Sequence, residues 1–213
     1  DGEIAFTDFY IGKLMEHLKR LGIYDKTLII LTADHGDEFF EHGQKGHRKN
    51  LYDTTLKVPL IMKFPSSEWK GKRIDKQVQI IDIVPTFLSY LSFNWNCNFQ
   101  GKSLIPLITG EGKEPNPYRF ADHHGRLKCV RSNQAKYIVN MGRGKKAQLF
   151  DLQKDKEERH NIAMSNPAQR ISMHKTLMDW LKTSRVLAKK LGRSKFDYGE
   201  GLKKQLKSLG YIR

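Results

Sequence analysis

Cysteine is scarce in this chain of 213 residues: only Cys97 and Cys129 are present, and neither a CxxC pair nor a spaced His/Cys cluster surrounds them. Neither a disulfide framework nor a zinc finger is therefore indicated. Long apolar runs are absent as well, because no stretch approaches the roughly 20 residues that cross a bilayer. We expect a soluble domain without a membrane span, whose compartment the sequence does not reveal. With 38% hydrophobic and 10% aromatic residues, the chain can bury a core.

Acidic residues are scarce in the second part of the chain. Residues 1–120 contain 16 Lys and Arg against 15 Asp and Glu, a net charge of +1, whereas residues 121–213 contain 22 against 8, a net charge of +14. Such a field attracts nucleic acid, an anionic membrane or an acidic polymer substrate. A solvated, lysine-rich helical surface explains the same charge, and we favour this second interpretation.

The order of apolar patterns predicts an α/β fold. Residues 3–21 carry apolar side chains at helical spacing, and Gly22 follows where a helix C-cap is expected. Residues 27–32 form a short, continuously apolar run, which is typical of a strand buried on both faces of a parallel sheet. A second strand is predicted at residues 58–62 and a helix at residues 80–91.

The pattern changes in the second part of the chain. Three short strand candidates lie close together at residues 127–130, 136–140 and 148–152, and close spacing favours antiparallel hairpins. Helices are expected at residues 167–190 and 202–209. The sequence therefore predicts a small antiparallel sheet with helices after the first α/β part.

Asp34 and His35 directly follow the predicted strand at residues 27–32. In open α/β sheets, ligands bind beyond the carboxyl ends of the strands. A neighbouring carboxylate and imidazole can bind one divalent cation when a tight turn, here eased by Gly36, points them the same way. The pair permits Ca²⁺, Mn²⁺ or Zn²⁺, although two ligands are too few for a complete site. On spacing alone an alternative stays open, in which Asp34 caps the following segment and His35 is a loop histidine.

An ordered series of motifs resembles the sulfatase family of the alkaline phosphatase superfamily. The series begins with Tyr24–Gly36, which ends in Asp-His-Gly, and continues through Glu41–Gly43, Leu51–Tyr52, Val58–Ile61, Ile81–Thr86, Gly101–Leu104, Lys136–Ile138, Leu149–Leu152 and Leu206–Ile212. The resemblance covers nearly the whole chain. It implies the C-terminal part of an alkaline-phosphatase-like, mostly parallel sheet with flanking helices at residues 1–112, and a subdomain with a small antiparallel sheet and helices at residues 113–213.

The resemblance also implies roles for three residues, and two nearby cations are further candidates. Asp34 falls on the family's metal-ligand aspartate and His35 on a neighbouring ligand that is Asn in many members, with Ca²⁺ as the first expected cation. His47 falls where many members have a lysine that holds the sulfate group, so we expect it to bind substrate and to act in catalysis as a proton donor. It could instead be the ligand of a second metal, as in phosphatase-like relatives. Lys45 and Arg48 are nearby cations that can share the contact with substrate, but we favour the alternative that both are exposed loop charges.

Three further residues invite weaker expectations. His42 matches a family histidine, for which a structural role is favoured over a catalytic one. Arg131 and Lys136 could touch an acidic substrate, but solvated charges on a strand explain them equally well.

The family's nucleophile has no counterpart in this sequence. Sulfatases use a formylglycine made from Cys or Ser in a C/S-x-P-x-R motif, and no such motif occurs here. The resemblance places it, with two further metal-ligand aspartates, upstream of Asp1. We therefore expect a C-terminal fragment that is inactive alone. Because an isolated half-sheet exposes an apolar edge and face, it should stay bound to its missing N-terminal half or associate with a second copy.

Three functions from different classes follow. The favoured one is a metal-dependent sulfatase that cleaves a sulfate ester, with an acidic saccharide as the candidate substrate and no nucleic acid as a partner. The second keeps the fold but hydrolyses phosphoesters or phosphonates, or transfers phosphoryl groups; the upstream nucleophile separates these two. The third is a non-enzymatic polyanion-binding domain. Steep salt dependence of binding that is unaffected by changing Asp34 would support it.

Overall fold

The computed structural model describes residues 1–47, 50–94, 99–112, 116–123, 125–142, 147–192 and 199–208 of the chain. The chain divides into two compact units, Asp1–His174 and Lys175–Arg213. Among the described residues, no helix combines the length and the apolar character that a membrane span requires.

The first unit alternates helices and short strands and then forms a four-stranded meander. Its elements are α1 (Gly2–Arg20), β1 (Ile29–Thr32), β2 (Glu38–Phe39), β3 (Lys45–Gly46), α2 (Asp53–Leu56), β4 (Leu60–Lys63), α3 (Ile83–Tyr90), α4 (Ile105–Thr109), β5 (Arg119–His123), β6 (Leu127–Arg131), β7 (Ala135–Asn140) and β8 (Gln148–Asp151). Helix α5 (Pro167–Leu191) begins in this unit, and α6 (Glu200–Ser208) belongs to the second. The α/β class and the antiparallel second sheet are confirmed.

Strands β1 and β4 pair with each other in antiparallel fashion, with Ile29 opposite Lys63 and Thr32 opposite Leu60. The prediction that residues 27–32 are buried on both faces of a parallel sheet is wrong in this detail, since β1 is only half buried and Ile61 on its partner is 58% exposed. A continuously apolar run indicates that both faces can be covered, but it does not say which strand lies alongside. Among the described residues, β4 is the strand that bonds to β1.

The meander β5-β6-β7-β8 is antiparallel throughout and carries the larger part of the core. Its core cluster consists of Leu51, Cys129, Ile138, Phe150 and Leu152. Leu51 comes from the segment between β3 and α2, so burial of this side chain ties that segment to the meander. A second cluster under β4 and α4 contains Phe64, Leu104 and Ile108.

The motif at residues 81–86 forms a buried link to the loop at residues 101–104. The Asp82 carboxylate accepts the backbone N–H of Lys102 at 2.9 Å, and the Thr86 hydroxyl donates to the carbonyl oxygen of Asp82 at 2.5 Å. Gly101 is needed because a Cβ at this position would collide with the carbonyl oxygen of Ile81. Buried polar groups of this kind fix the loop because leaving them unpaired would cost free energy.

Helix α1 buries none of its residues. Five of its large apolar side chains are exposed, namely those of Ile4, Phe6, Phe9, Tyr10 and Leu14. An apolar helical face of this size is typical of an interaction surface. The expectation of an exposed apolar edge and face concerned the half-sheet and not this helix. Association of the chain with a missing half or with a second copy stays a prediction.

Candidate functional site

Asp34 and His35 lie just beyond the carboxyl end of β1. The Asp34 side chain is 73% exposed, and one of its oxygens lies 3.7 Å from Nε2 of His35. Its other oxygen accepts the backbone N–H of His35 at 3.0 Å. Asp34 therefore bonds its neighbour rather than capping a later turn, and its carboxylate faces solvent, where a ligand can reach it.

The pairing of β2 with β3 brings His47 to the same place. Glu38 lies opposite Gly46, so the flanking residues Asp37 and His47 meet across the hairpin, with Asp37 Oδ1 2.8 Å from His47 Nδ1. The rings of His35 and His47 lie 4.0 Å apart, measured between their centroids. One ligand atom each from His35, Asp37 and His47 falls within 4.8 Å of the others. We call these three residues the imidazole cluster.

The imidazole cluster and Asp34 have donor atoms that suit a divalent cation. Two imidazole nitrogens with carboxylate oxygens are typical ligands of Zn²⁺ and Mn²⁺, and the carboxylates also suit Ca²⁺. Because Nδ1 of His47 contacts Asp37, the ring is oriented with Nε2 as the nitrogen that remains for a ligand or substrate. The residues present therefore fit the metal that the resemblance implies.

Gly36 holds the site loop against α2. Its N–H donates to the carbonyl oxygen of Thr55 at 2.9 Å, and a Cβ at this position would collide with the carbonyl oxygen of Thr54. Its φ angle is not in the left-handed region. Glycine is therefore needed here because two backbone segments approach closely, and the expected tight turn stays a prediction.

The buried carboxylate of Glu38 organises the rest of the loop. Glu38 is fully buried and accepts the backbone N–H of His42 at 2.6 Å and the side-chain amide of Asn50. The side-chain oxygen Oδ1 of Asn50 in turn accepts the backbone N–H of Tyr52 at 3.3 Å and the hydroxyl of Thr55 at 3.1 Å. These bonds close the segment between β2 and α2, which fixes the register that brings Asp37 to His47.

The contacts of His42 fit the structural role that we favoured for it from the sequence. Its ring stacks on Tyr52 at 3.7 Å between centroids, and its Nε2 lies 2.9 Å from the carbonyl oxygen of Glu157. His42 therefore joins the site loop to the segment that follows β8.

A buried ionic network anchors α2 to the meander. Lys136 is fully buried, and its Nζ lies 2.8 Å from Asp53 and 2.8 Å from Glu158. Arg131 contacts the second Asp53 oxygen at 3.0 Å, and Glu158 accepts the Asp53 N–H at 2.5 Å. The expectation that Lys136 is solvated or touches substrate is therefore wrong, whereas Arg131 is paired with Asp53 but keeps 23% of its side chain exposed. Their partners are distant in sequence, so no local pattern revealed them.

The pKa values of Asp53 and Glu158, the two acids of this network, are shifted in opposite directions by charge and burial. Burial by itself raises the pKa of Asp53, but Lys136 and Arg131 together lower that pKa below its ordinary value. Burial raises the pKa of Glu158 above its ordinary value, because Lys136 offsets the loss of hydration only partly. Of the two carboxylates, Asp53 is thus the one whose ionised form the cations stabilise more strongly.

Two further cations near His47, Lys45 and Arg48, were candidates for a contact with substrate. Lys45 is exposed, and no hydrogen bond or ion pair joins its side chain to another residue that the structure describes. Arg48 lies outside the described residues. A substrate contact by either residue stays a prediction.

Asp37 is the residue of the imidazole cluster that the sequence reasoning missed. The sequence feature that could have indicated Asp37 is its position three residues after Asp34, directly before a two-residue strand. Only the register of β2 against β3 places it beside His47, and neither strand has a recognisable pattern at this length.

Comparisons with known proteins support the assignment of the fold and the family. Residues 41–186, more than half of the chain, match the family described as N-sulphoglucosamine sulphohydrolase, C-terminal. The chain is 31% identical over 197 residues to arylsulfatase K of Bos taurus, covering 86% of this chain and 36% of the relative. It is 33% identical over 173 residues to arylsulfatase K of Danio rerio, covering 76% of this chain and 33% of the relative. The chain thus spans about a third of the length of these relatives.

Solved structures of the same fold include enzymes with different substrates. The phosphonate monoester hydrolase of Agrobacterium radiobacter superposes with a TM-score of 0.72 at 25% identity, covering 84% of this chain and 40% of that one. The protein BT4656, solved in complex with its substrate D-glucosamine-2-N,6-O-disulfate, superposes with a TM-score of 0.65 at 26% identity, covering 85% of this chain and 38% of that one. The chain therefore belongs to the sulfatase family, as a C-terminal region of the N-sulphoglucosamine sulphohydrolase type with the alkaline-phosphatase-like fold.

Proposed function

We propose that the complete protein is a metal-dependent sulfatase that hydrolyses sulfate esters, and that this chain supplies one side of its active site. The imidazole cluster beside Asp34, at the carboxyl end of β1, is the observation that carries the proposal. Membership in the sulfatase family supports it. In this proposal the chain has no activity alone, because the formylglycine nucleophile and further metal ligands come from upstream.

The proposed cation ligands are Asp34 and His35. Ca²⁺ is the first candidate, with Mn²⁺ and Zn²⁺ as alternatives. A bound cation supplies polarisation of the sulfate oxygens. The exposed carboxylate of Asp34 offers one hard oxygen, and Nε2 of His35, 3.7 Å away, offers one nitrogen.

The proposed role of His47 is to bind the sulfate group and to hold a proton at Nε2 for the leaving alkoxide. Its Nδ1 contacts Asp37 at 2.8 Å, which orients the ring and leaves Nε2 as the donor. Lys45 can add positive charge from β3 without a defined contact, and Arg48 is proposed only from its position in the sequence.

Hydrolysis of an aryl sulfate by the full-length protein tests these roles, with and without a chelator. Asp34→Ala and His47→Ala are each expected to lower kcat/KM by about 100-fold or more, since each removes a group at the reacting centre. Asp25→Ala is the matched control, because Asp25 is also exposed and lies on the other side of β1 in the sequence. Equal activity of Asp34→Ala and Asp25→Ala would refute the proposed metal site.

Direct cation binding by the full-length protein is a second readout. Titration with Ca²⁺, Mn²⁺ or Zn²⁺, followed by calorimetry, should show weaker binding to Asp34→Ala than to Asp25→Ala. This measurement does not depend on the upstream nucleophile.

Phosphonate or phosphate ester hydrolysis is the second candidate function. The superposition on a phosphonate monoester hydrolase with a TM-score of 0.72 favours it, as does the histidine at position 47 where many sulfatases have lysine. Comparing an aryl sulfate with an aryl phosphonate monoester on one full-length sample separates the two candidates. Faster turnover of the phosphonate would replace the sulfatase assignment.

A sulfated saccharide is the proposed natural substrate. BT4656 binds a disulfated glucosamine, and the net charge of +14 on residues 121–213 attracts acidic polymers. Release of sulfate from a sulfated glucosamine, compared with release from the aryl sulfate, tests this substrate class.

A further inference from the structure

Helix α5 carries a straight line of cations within the second unit. Lys175, Lys182 and Lys189 are spaced at intervals of seven residues, which places them on one face of the helix, and Arg185 lies beside them. All four residues are exposed. We call these four residues the α5 basic stripe.

The α5 basic stripe is long and is not neutralised locally. At 1.5 Å per residue, its lysines repeat about every 10 Å and the stripe spans about 21 Å. Asp179 is the acidic residue that α5 carries between Lys175 and Lys189. No ion pair joins the four cations to other residues in the part of the chain that the structure describes. Four positive charges in a row therefore face solvent.

We propose that the α5 basic stripe binds a sulfated polysaccharide that lies along the helix, outside the site where the ester is cleaved. The proposal rests on the proposed sulfatase function only for the identity of the polymer. An extended chain with repeated anionic groups matches a linear row of cations, and the charges are complementary.

Two other polyanions fit α5 less well. A helix that lies on a membrane needs a continuous free apolar face. On α5, Leu177 is fully buried, and the exposed apolar side chains of Ile171, Val186 and Leu191 are interspersed with cations. Single-stranded nucleic acid needs exposed aromatic side chains for stacking, and the aromatic residue of α5, Trp180, is half buried. A sulfated polysaccharide requires neither feature.

The test measures the affinity of the full-length protein for heparin at several salt concentrations. The variant replaces Lys175, Lys182, Arg185 and Lys189 by glutamine. The matched control replaces the same numbers of exposed Lys and Arg elsewhere, at Lys70, Lys72, Arg73 and Lys76. We expect about tenfold or greater loss of affinity and a shallower salt dependence for the stripe variant, and less than about threefold loss for the control.

Several outcomes would overturn the proposal. Equal losses in both variants would mean that net charge alone attracts heparin. Equal affinity for unsulfated hyaluronan would remove the requirement for sulfate groups. A stripe variant that loses binding to phosphatidylserine vesicles or single-stranded DNA but not to heparin would assign the stripe to that other polyanion.

Two controls separate this proposal from the proposed function. Binding is measured with chelator present and also in Asp34→Ala, and neither change should alter the affinity for heparin. Turnover of a small aryl sulfate should be unchanged by the stripe variant. If that variant fails to fold, as judged by circular dichroism, two single variants test the proposal instead. Lys182→Glu, which reverses the charge, should weaken heparin binding, and Lys182→Arg, which keeps it, should not.

Discussion

Replacing Lys136 by methionine should destabilise the chain more than most single substitutions. Lys136 is fully buried and faces Asp53 and Glu158, each at 2.8 Å. Methionine leaves two buried carboxylates without this cation, and breaking a buried ion pair by removing one partner costs about 3–5 kcal/mol. Since Arg131 still holds Asp53, we expect the lower end, about 3 kcal/mol, from a total stability of about 5–15 kcal/mol.

The loss of stability in Lys136→Met should depend on pH, and the sign of this dependence follows from the pKa shifts of the two acids. The folded-state pKa of Asp53 is lowered, so its contribution to stability is present above its unfolded pKa and disappears as the pH falls through the folded pKa. The folded-state pKa of Glu158 is already raised, and removing Lys136 raises it further, which penalises the fold at neutral pH. The free-energy difference between wild type and Lys136→Met should therefore be largest near pH 7 and shrink in acid.

Urea unfolding followed by far-UV circular dichroism measures these free energies. Lys128→Met is the matched control, because Lys128 is also a buried lysine of the meander but its partner Asp122 is 41% exposed, so we expect a loss below about 1 kcal/mol. Adding Glu158→Gln to Lys136→Met should recover part of the loss. A loss below about 1 kcal/mol for Lys136→Met, or one that does not change with pH, would refute this reasoning.

Three further substitutions or treatments test the loop and the core. Gly36→Ala should cost about 2–4 kcal/mol and weaken cation binding, because its Cβ would collide with backbone of α2, whereas Gly12→Ala, in an open position of α1, should leave the stability unchanged or raise it by up to about 1 kcal/mol. Phe40→Asn should raise the unfolding free energy by about 0.5–1 kcal/mol, because Phe40 is exposed and has a φ of 72°, which asparagine adopts more readily; lower stability would contradict this. Burial raises the pKa of the Cys129 thiol to about 12, so alkylation at pH 8, read by peptide mapping, should require unfolding; rapid labelling of the native chain would contradict it.

The sequence predicted those helices and strands that are indicated by the pattern of neighbouring residues. Helix α1 and strands β6 to β8 follow from apolar spacing and turn residues, and the structure has them within two residues of the predicted bounds. The β2–β3 hairpin was missed because strands of two residues show no alternation. Strand β5 was missed because Arg119 and Asp122 interrupt its apolar pattern.

The candidate site was predicted only in part. The structure brings His35 and His47 together, as the resemblance led us to expect, while their roles stay predictions. Asp37 could not be predicted, because its proximity to His47 depends on strand register. Lys136 was misjudged because its partner Asp53 lies 83 residues away, and a strand lysine is ordinarily exposed.

Position 158 must satisfy two requirements at once. Its backbone has a φ of 57°, which favours glycine or asparagine, while its side chain must reach Lys136 and the N–H of Asp53 as a carboxylate. Glycine would relieve the backbone but remove the charge, and aspartate would keep the charge but shorten the reach. Few single substitutions can therefore be neutral at this position, so a change that relaxes its backbone has to be accompanied by a second change at Lys136.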